Sequence, residues 1–151
     1  MIRFSPADAA TLQLLLAETP ALTLATLDAD GTPRATPLYF AADSSLRLLF
    51  LSDGETIHAS NLTRRKEAAA ALYPSVDDWR ALRGLQCKGW VEALGAAGQT
   101  AEFAVYLDRF PFAATLTSQL ETSLLFRLTP TWVRLIDNRR GFGFHCEWPA
   151  G

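Results

Sequence analysis

Residues 81 to 95, ALRGLQCKGWVEALG, read as one long strand interrupted at Gly84 and Gly89. Glycine inside a strand marks a bulge, a sharp bend or the close approach of another backbone. Two of them in one strand predict a sheet that curls into a barrel. The segments before it supply matching strands. Residues 21 to 27, ALTLATL, alternate apolar and small polar side chains as a half-buried strand does, and residues 28 to 31 make a turn. Residues 33 to 40, PRATPLYF, return as the partner strand. Pro33 and Pro37 have no N–H to give a ladder, which puts this strand at an edge, at a bulge, or beside something other than a strand, such as a ligand.

A turn over 42 to 45 leads into LRLLFLS at 46 to 52, whose unbroken apolar run predicts burial on both faces. Toward the N-terminus, Ser5 before Pro6 supplies an N-cap and a first-turn proline. Leu12, Leu15 and Leu16 then share one helical face, and the helix ends near Thr19. A second helix is expected from about 55 to 65, followed by a strand at 67 to 73 that Pro74 stops, and a polar loop at 74 to 80. Gln99 to Phe110 reads as a helix broken by Pro111, with a second helical piece from Phe112 to Leu120. Residues 123 to 137 read as two strands, SLLFRLT and WVRLIDN, separated by Pro130. Hairpins with short helices between some of them predict a mainly β chain, an antiparallel barrel with helices over its openings. At 151 residues, 49% hydrophobic and 20% charged, the chain is expected to form one domain with its own core. Small open barrels bury more surface by pairing, and Tyr39, Phe40, Trp90, Phe142 and Trp148 are candidates to line a dimer groove, with core packing as the competing explanation of each one.

Residues 50 to 62, FLSDGETIHASNL, are the candidate ligand site. A helix that opens at the end of a buried strand directs unpaired N–H groups and a positive dipole end at one spot, which suits a phosphate or carboxylate. Ser52, Thr56 and His58 surround that spot; the hydroxyls add hydrogen bonds, and His58 adds a donor or, when protonated, a charge. The competing reading is structural, with Asp53 or Glu55 capping the helix.

Elsewhere the chemistry is sparse. A net charge of -2 with scattered basic residues carries no electrostatic footprint for nucleic acid, and Arg64, Arg65 and Lys66 suit a helix C-terminus. No apolar run reaches membrane-spanning length and the first residues lack a signal peptide's apolar core, so a cytoplasmic protein is expected. Cys87 and Cys146 have no metal-binding spacing and read as free thiols, and no metal site is expected. The pairs Asp28 with Asp30 and Asp77 with Asp78 sit in turns and read as solvated turn residues, while His145 reads as a surface or groove residue.

The order ALTLATLDADGTPRATPLYF, LRLLFLSDGETIHASNL, ALRGLQCKGWVEAL resembles the pyridoxamine 5'-phosphate oxidase-like family of FMN-binding split barrels. GLQCKGWVEAL, DRFPFA and LIDNRRGFGFHCEW resemble its small YhbP-like branch. The resemblance implies a homodimer of six-stranded antiparallel split β-barrels with short covering helices and FMN in grooves between the subunits. It places the backbone of Thr36, Pro37, Leu38 and Tyr39 along the flavin ring, Leu51 and Ser52 beside the ribityl chain and phosphate, and Thr56 and His58 at the phosphate, with Asn61 one turn further. Gln86 and Asn138 would approach the flavin from the other subunit. Vitamin-forming oxidases carry an arginine and a lysine where Ile57 and His58 stand here, and a glutamine where Gly84 stands. Their C-terminal arginine and histidine arrangement is not reproduced by residues 139 to 145. The resemblance thus implies an FMN-dependent oxidoreductase other than a true pyridoxamine phosphate oxidase, with a small-molecule substrate and NADH or NADPH as electron donors to test. Its alternatives are a flavin-binding or storage protein without turnover, and a dimeric barrel that has lost its cofactor. Heme, which some split barrels bind, would have only His58 and His145 as axial candidates.

Overall fold

The computed structural model describes residues 3–149. Seven strands form one antiparallel sheet: β1 (Ala21–Leu27), β2 (Pro33–Ala42), β3 (Leu48–Asp53), β4 (Glu67–Leu72), β5 (Arg83–Ala96), β6 (Ser123–Asp137) and β7 (His145–Trp148). Their order is β3-β2-β1-β4-β5-β6-β7, and β3 also pairs with β6, which closes the first six strands into a barrel and leaves β7 outside it. Four α-helices accompany it: α1 (Pro6–Glu18), α2 (Ile57–Arg64), α3 (Phe103–Arg109) and α4 (Thr117–Thr122). None is long and apolar enough to cross a membrane.

β3 explains its own apolar run. Leu48 and Phe50 point into the barrel core, where Phe50 stacks on Phe126 at 5.3 Å, while Leu49 joins a second cluster with Phe103, Tyr106 and Phe110 outside the sheet. Successive side chains of a strand face opposite ways, so two cores on one strand require apolar residues throughout. Ser5 caps α1 through the Asp8 N–H and Pro6 opens the helix, whose Leu12 and Leu15 enter the barrel core. Phe40 does not line a groove: it is fully buried in that core, because the row Leu38, Phe40 faces inward. Trp148 is half-buried against Phe4, whereas Tyr39, Trp90 and Phe142 are exposed.

The expected break at Pro130 does not occur, and residues 123 to 137 form one strand. The ladder shifts register between Lys88 and Gly89, so that Gly89 lies opposite Pro130 and Lys88 opposite Trp132. The extra residue of this bulge is Thr131, and Pro130 sits beside it at the irregularity, where a missing ladder N–H is tolerated. A Cβ on Gly89 would stand 2.1 Å from the Thr129 carbonyl oxygen, so only glycine permits this approach. Gly84 sits in regular pairing with Ile136. The long helix expected from Gln99 is shorter, because the chain turns through a 3-10 segment at Ala97–Gln99 before α3, and a further 3-10 segment, Pro111–Thr115, precedes α4.

Candidate functional site

β2 is half-paired. Along its whole length to Tyr39 it faces β1, but on its other side β3 pairs only with Phe40, Ala41 and Ala42, while the far edge of β3 pairs with β6 from Leu48 to Asp53. The Phe40 N–H reaches the Pro20 carbonyl at 3.1 Å, on the β1 side. Hydrogen-bonding direction alternates along an antiparallel strand, so Arg34, Thr36 and Leu38 also bond toward β1, while Pro33, Ala35 and Pro37 turn their backbone groups to the open side. Pro33 and Pro37 therefore sit where no ladder N–H is needed. Ala35 presents an N–H and a carbonyl to this edge, and Pro37 a carbonyl, with no strand beside them. Tyr39, at the end of the open stretch, is exposed and packs on Phe110 and Phe112 at ring-centroid distances of 5.4 and 6.1 Å.

Where β3 leaves β2, it runs into the head of α2. Thr56 is the N-cap: its hydroxyl donates to the Asp53 carbonyl at 2.8 Å and accepts from the Ala59 N–H at 3.4 Å. Asp53 does not cap the helix but folds the preceding turn, accepting from the Glu55 N–H at 2.8 Å. Ser52 Oγ lies 2.6 Å from His58 Nε2 and 3.1 Å from Thr56 Oγ1, so the three predicted phosphate residues form one cluster. The sequence left His58 two roles, a neutral donor or, when protonated, a charge. Burial, with the nearby Arg34 charge adding to it, holds the imidazole below its ordinary value of 6.5, which favours the neutral form at neutral pH. Leu51 packs toward the outer cluster beside α3.

A charged network beside this cluster has no counterpart in the sequence reading. Arg34 binds Asp28 through Nε and Nη2, each at 2.8 Å, and Asp28 Oδ1 also accepts from Asn61 Nδ2 at 2.7 Å. Asn61 donates in addition to Thr26 at 3.0 Å and accepts from Arg64 at 2.5 Å, so all its polar atoms are used within the chain. Asp28 is therefore not a freely solvated turn residue: the bonds from Arg34 and Asn61 pull its carboxyl down to about 2. Arg64 does serve the last turn of α2, as its position in sequence suggested.

Two predicted residues lie apart from this cluster. Gln86 is exposed on β5, opposite Ala71 and Arg134. Asn138 is buried and engaged, donating to the Trp79 carbonyl at 2.8 Å and accepting from the Gly143 N–H at 3.0 Å, which ties two loops together. The Cys87 thiol is buried between β4 and β6, and that burial pushes it up to about 12. His145 is exposed, with Nδ1 2.9 Å from the Gly143 carbonyl. Outside the barrel, Ala25, Ala69, Lys88 and Trp90 line a groove of 410 Å³ on the face of β1, β4 and β5.

The sequence model of the family described as pyridoxamine 5'-phosphate oxidase matches residues 9–137. The chain is similar to a UPF0306 protein of Klebsiella pneumoniae (strain 342), with 25% identity over 114 residues, 76% of this chain and 74% of the relative. Its fold is similar to that of a heme binding protein from Mycobacterium smegmatis, at TM-score 0.75 and 23% identity, covering 97% of this chain and 59% of that one. It is also similar to a pyridoxamine 5'-phosphate oxidase-related FMN binding protein from Nostoc punctiforme PCC 73102, at TM-score 0.63 and 15% identity, covering 96% and 97% of the two chains. A family match that runs from α1 to the end of β6, over a closed six-stranded barrel with its half-paired β2, makes this chain a member of the pyridoxamine 5'-phosphate oxidase family.

Proposed function

We propose that the protein binds FMN along the open edge of β2 and acts as a flavin-dependent oxidoreductase on a small molecule. One observation carries this reading: the unpaired backbone of β2 leads directly to the Ser52, Thr56 and His58 cluster at the head of α2. A planar heterocycle asks for backbone donors and acceptors along one side, and a phosphate tail asks for N–H groups and hydroxyls at the far end. The chain offers both in that order, so its residues fit the group. Thr36, Pro37, Leu38 and Tyr39 would line the ring, Leu51 and Ser52 the ribityl chain, and Thr56 and His58 the phosphate. Asn61, with its polar atoms engaged, would hold the network in place. Bound flavin supplies hydride and electron transfer, while the protein supplies orientation and an open face for the substrate.

A second copy of the chain covers the outer face of β1, β4 and β5 in this reading, with the partner's Gln86 and Asn138 turn near the flavin. The alanine-floored groove and Trp90, 53% exposed, support that contact. In this reading pyridoxamine phosphate is not the substrate, since residues 139 to 145 do not reproduce the C-terminal arginine and histidine arrangement of the vitamin-forming enzymes. The visible spectrum of the purified protein tests the cofactor, followed by FMN titration if it is colourless. About one FMN per chain, reducible by NADH or NADPH, is the expected result. Flavin that binds but is not reduced marks a storage protein, and a colourless protein that ignores FMN overturns the reading. Heme is the second reading, favoured by His145: its Nδ1 faces a carbonyl, which leaves the exposed Nε2 as a lone pair for a metal. A Soret band on adding hemin, lost in His145→Ala, would support it.

A further inference from the structure

A phosphomonoester carries nearly two negative charges at neutral pH. The head of α2 meets it with hydroxyls, backbone N–H groups and a neutral His58, and the acidic residues Asp53 and Glu55 stand in the preceding turn. Ile57, the first residue of the helix, is an exposed aliphatic side chain. The balancing cation has to come from another element.

We propose that Arg34 supplies the fixed positive charge for the ligand's phosphate, held in position by Asp28 and Asn61. The assignment rests on the FMN reading of the site. Arg34 lies on β2 opposite Thr26 and belongs to the same row as Thr36 and Leu38. Nε and Nη2 are fixed on Asp28, which leaves Nη1 with no hydrogen bond among the described residues. The Asp28 oxygen that receives Arg34 Nε also receives Asn61 Nδ2, and Asn61 follows His58 by three residues on the buried face of α2. One carboxylate thus ties the guanidinium of β2 to the helix that opens the site. Arg64 joins the same network through the Asn61 side-chain oxygen rather than through the carboxylate, so Asn61 is held from both sides and keeps Asp28 in place beneath the Arg34 guanidinium. The bidentate pair orders the Arg34 side chain before a ligand arrives, which removes part of the cost of binding. A purely structural ion pair would be indifferent to the ligand's charge.

Riboflavin, the same ring and ribityl chain without the phosphate, separates the two roles. Both FMN and riboflavin are titrated, by quenching of flavin fluorescence, into the wild type, Arg34→Met and the double variant Asp28→Asn/Arg34→Met. The double variant leaves no unpaired carboxylate, so a folded protein is available for the comparison. The expected result is a Kd for FMN raised about tenfold or more in both variants, as loss of a charge-assisted bond implies, with the Kd for riboflavin unchanged. FMN affinity equal to wild type in both variants overturns the role of Arg34 and leaves the flavin site standing. An equal loss for both ligands also overturns it, because that is the signature of a structural pair. A wild type that binds neither flavin overturns the flavin reading together with this one.

Discussion

His58 shows how burial changes what a residue can do. The side chain is 8% exposed, its Nε2 is taken up by Ser52, and its pKa lies below the ordinary 6.5. A depressed histidine pKa means that the unfolded chain binds the proton more readily than the folded one. Stability from this residue is therefore complete above about pH 6.5 and falls as pH drops from there toward the lower folded value. Thermal midpoints measured from about pH 8 to about pH 5 should decline on the acid side, with a shallower decline in His58→Gln, which cannot charge. Equal slopes in the two proteins would mean that His58 does not govern that range. Asp28 acts lower down: its carboxyl at about 2 contributes stability above its unfolded value near 4, which is lost as pH falls toward 2. Burial that pushes the Cys87 thiol up to about 12 keeps it protonated at neutral pH.

Among the elements, the β5–β6 pair carries the tightest constraint. Both strands run far longer than their neighbours, and they stay paired across Pro130 only because Gly89 lets the Thr129 carbonyl approach. Gly89→Ala forces backbone apart from backbone, with an expected loss of about 3 kcal/mol in chemical denaturation, the size seen when a packed interior is overfilled. Gly98→Ala is the control, because a Cβ there meets nothing within 4 Å, and it should leave stability within about 0.5 kcal/mol of wild type. Similar losses from the two substitutions would show that the close approach is not the cause. The strand alternation and the glycines were legible in the sequence. The continuity of β6 was not, since Pro130 signals a break locally and only pairing with β5, whose Gly89 lies opposite it beside the bulge at Thr131, carries the strand past it.

For the whole molecule, the proposed second copy makes the most direct claim. Trp90 stands on the outer face of β5, 53% exposed, beside the groove over β1 and β4. Trp90→Glu puts a charge into that surface, so light scattering coupled to gel filtration should find a dimer for the wild type and a monomer for the variant. A wild-type monomer would remove the shared flavin groove. The barrel itself closes through β3 and β6, strands far apart in the chain, and beyond Phe50 β3 keeps its pairing with β6 but not with β2, which leaves the opening beside β2.

The sequence by itself determined the positions of most strands, the α1 cap, the prolines of an unpaired edge and the hydroxyl-rich turn before α2. These follow from short-range causes: fixed proline φ angles, side-chain alternation and capping by the next few residues. Tertiary structure alone decided that His58 is neutral, that Phe40 is core, and that Asp28, Arg34 and Asn61 form one network. Burial and charge pairing depend on residues brought together from different strands and helices. No local pattern encodes how much water a group loses or which distant partner replaces it.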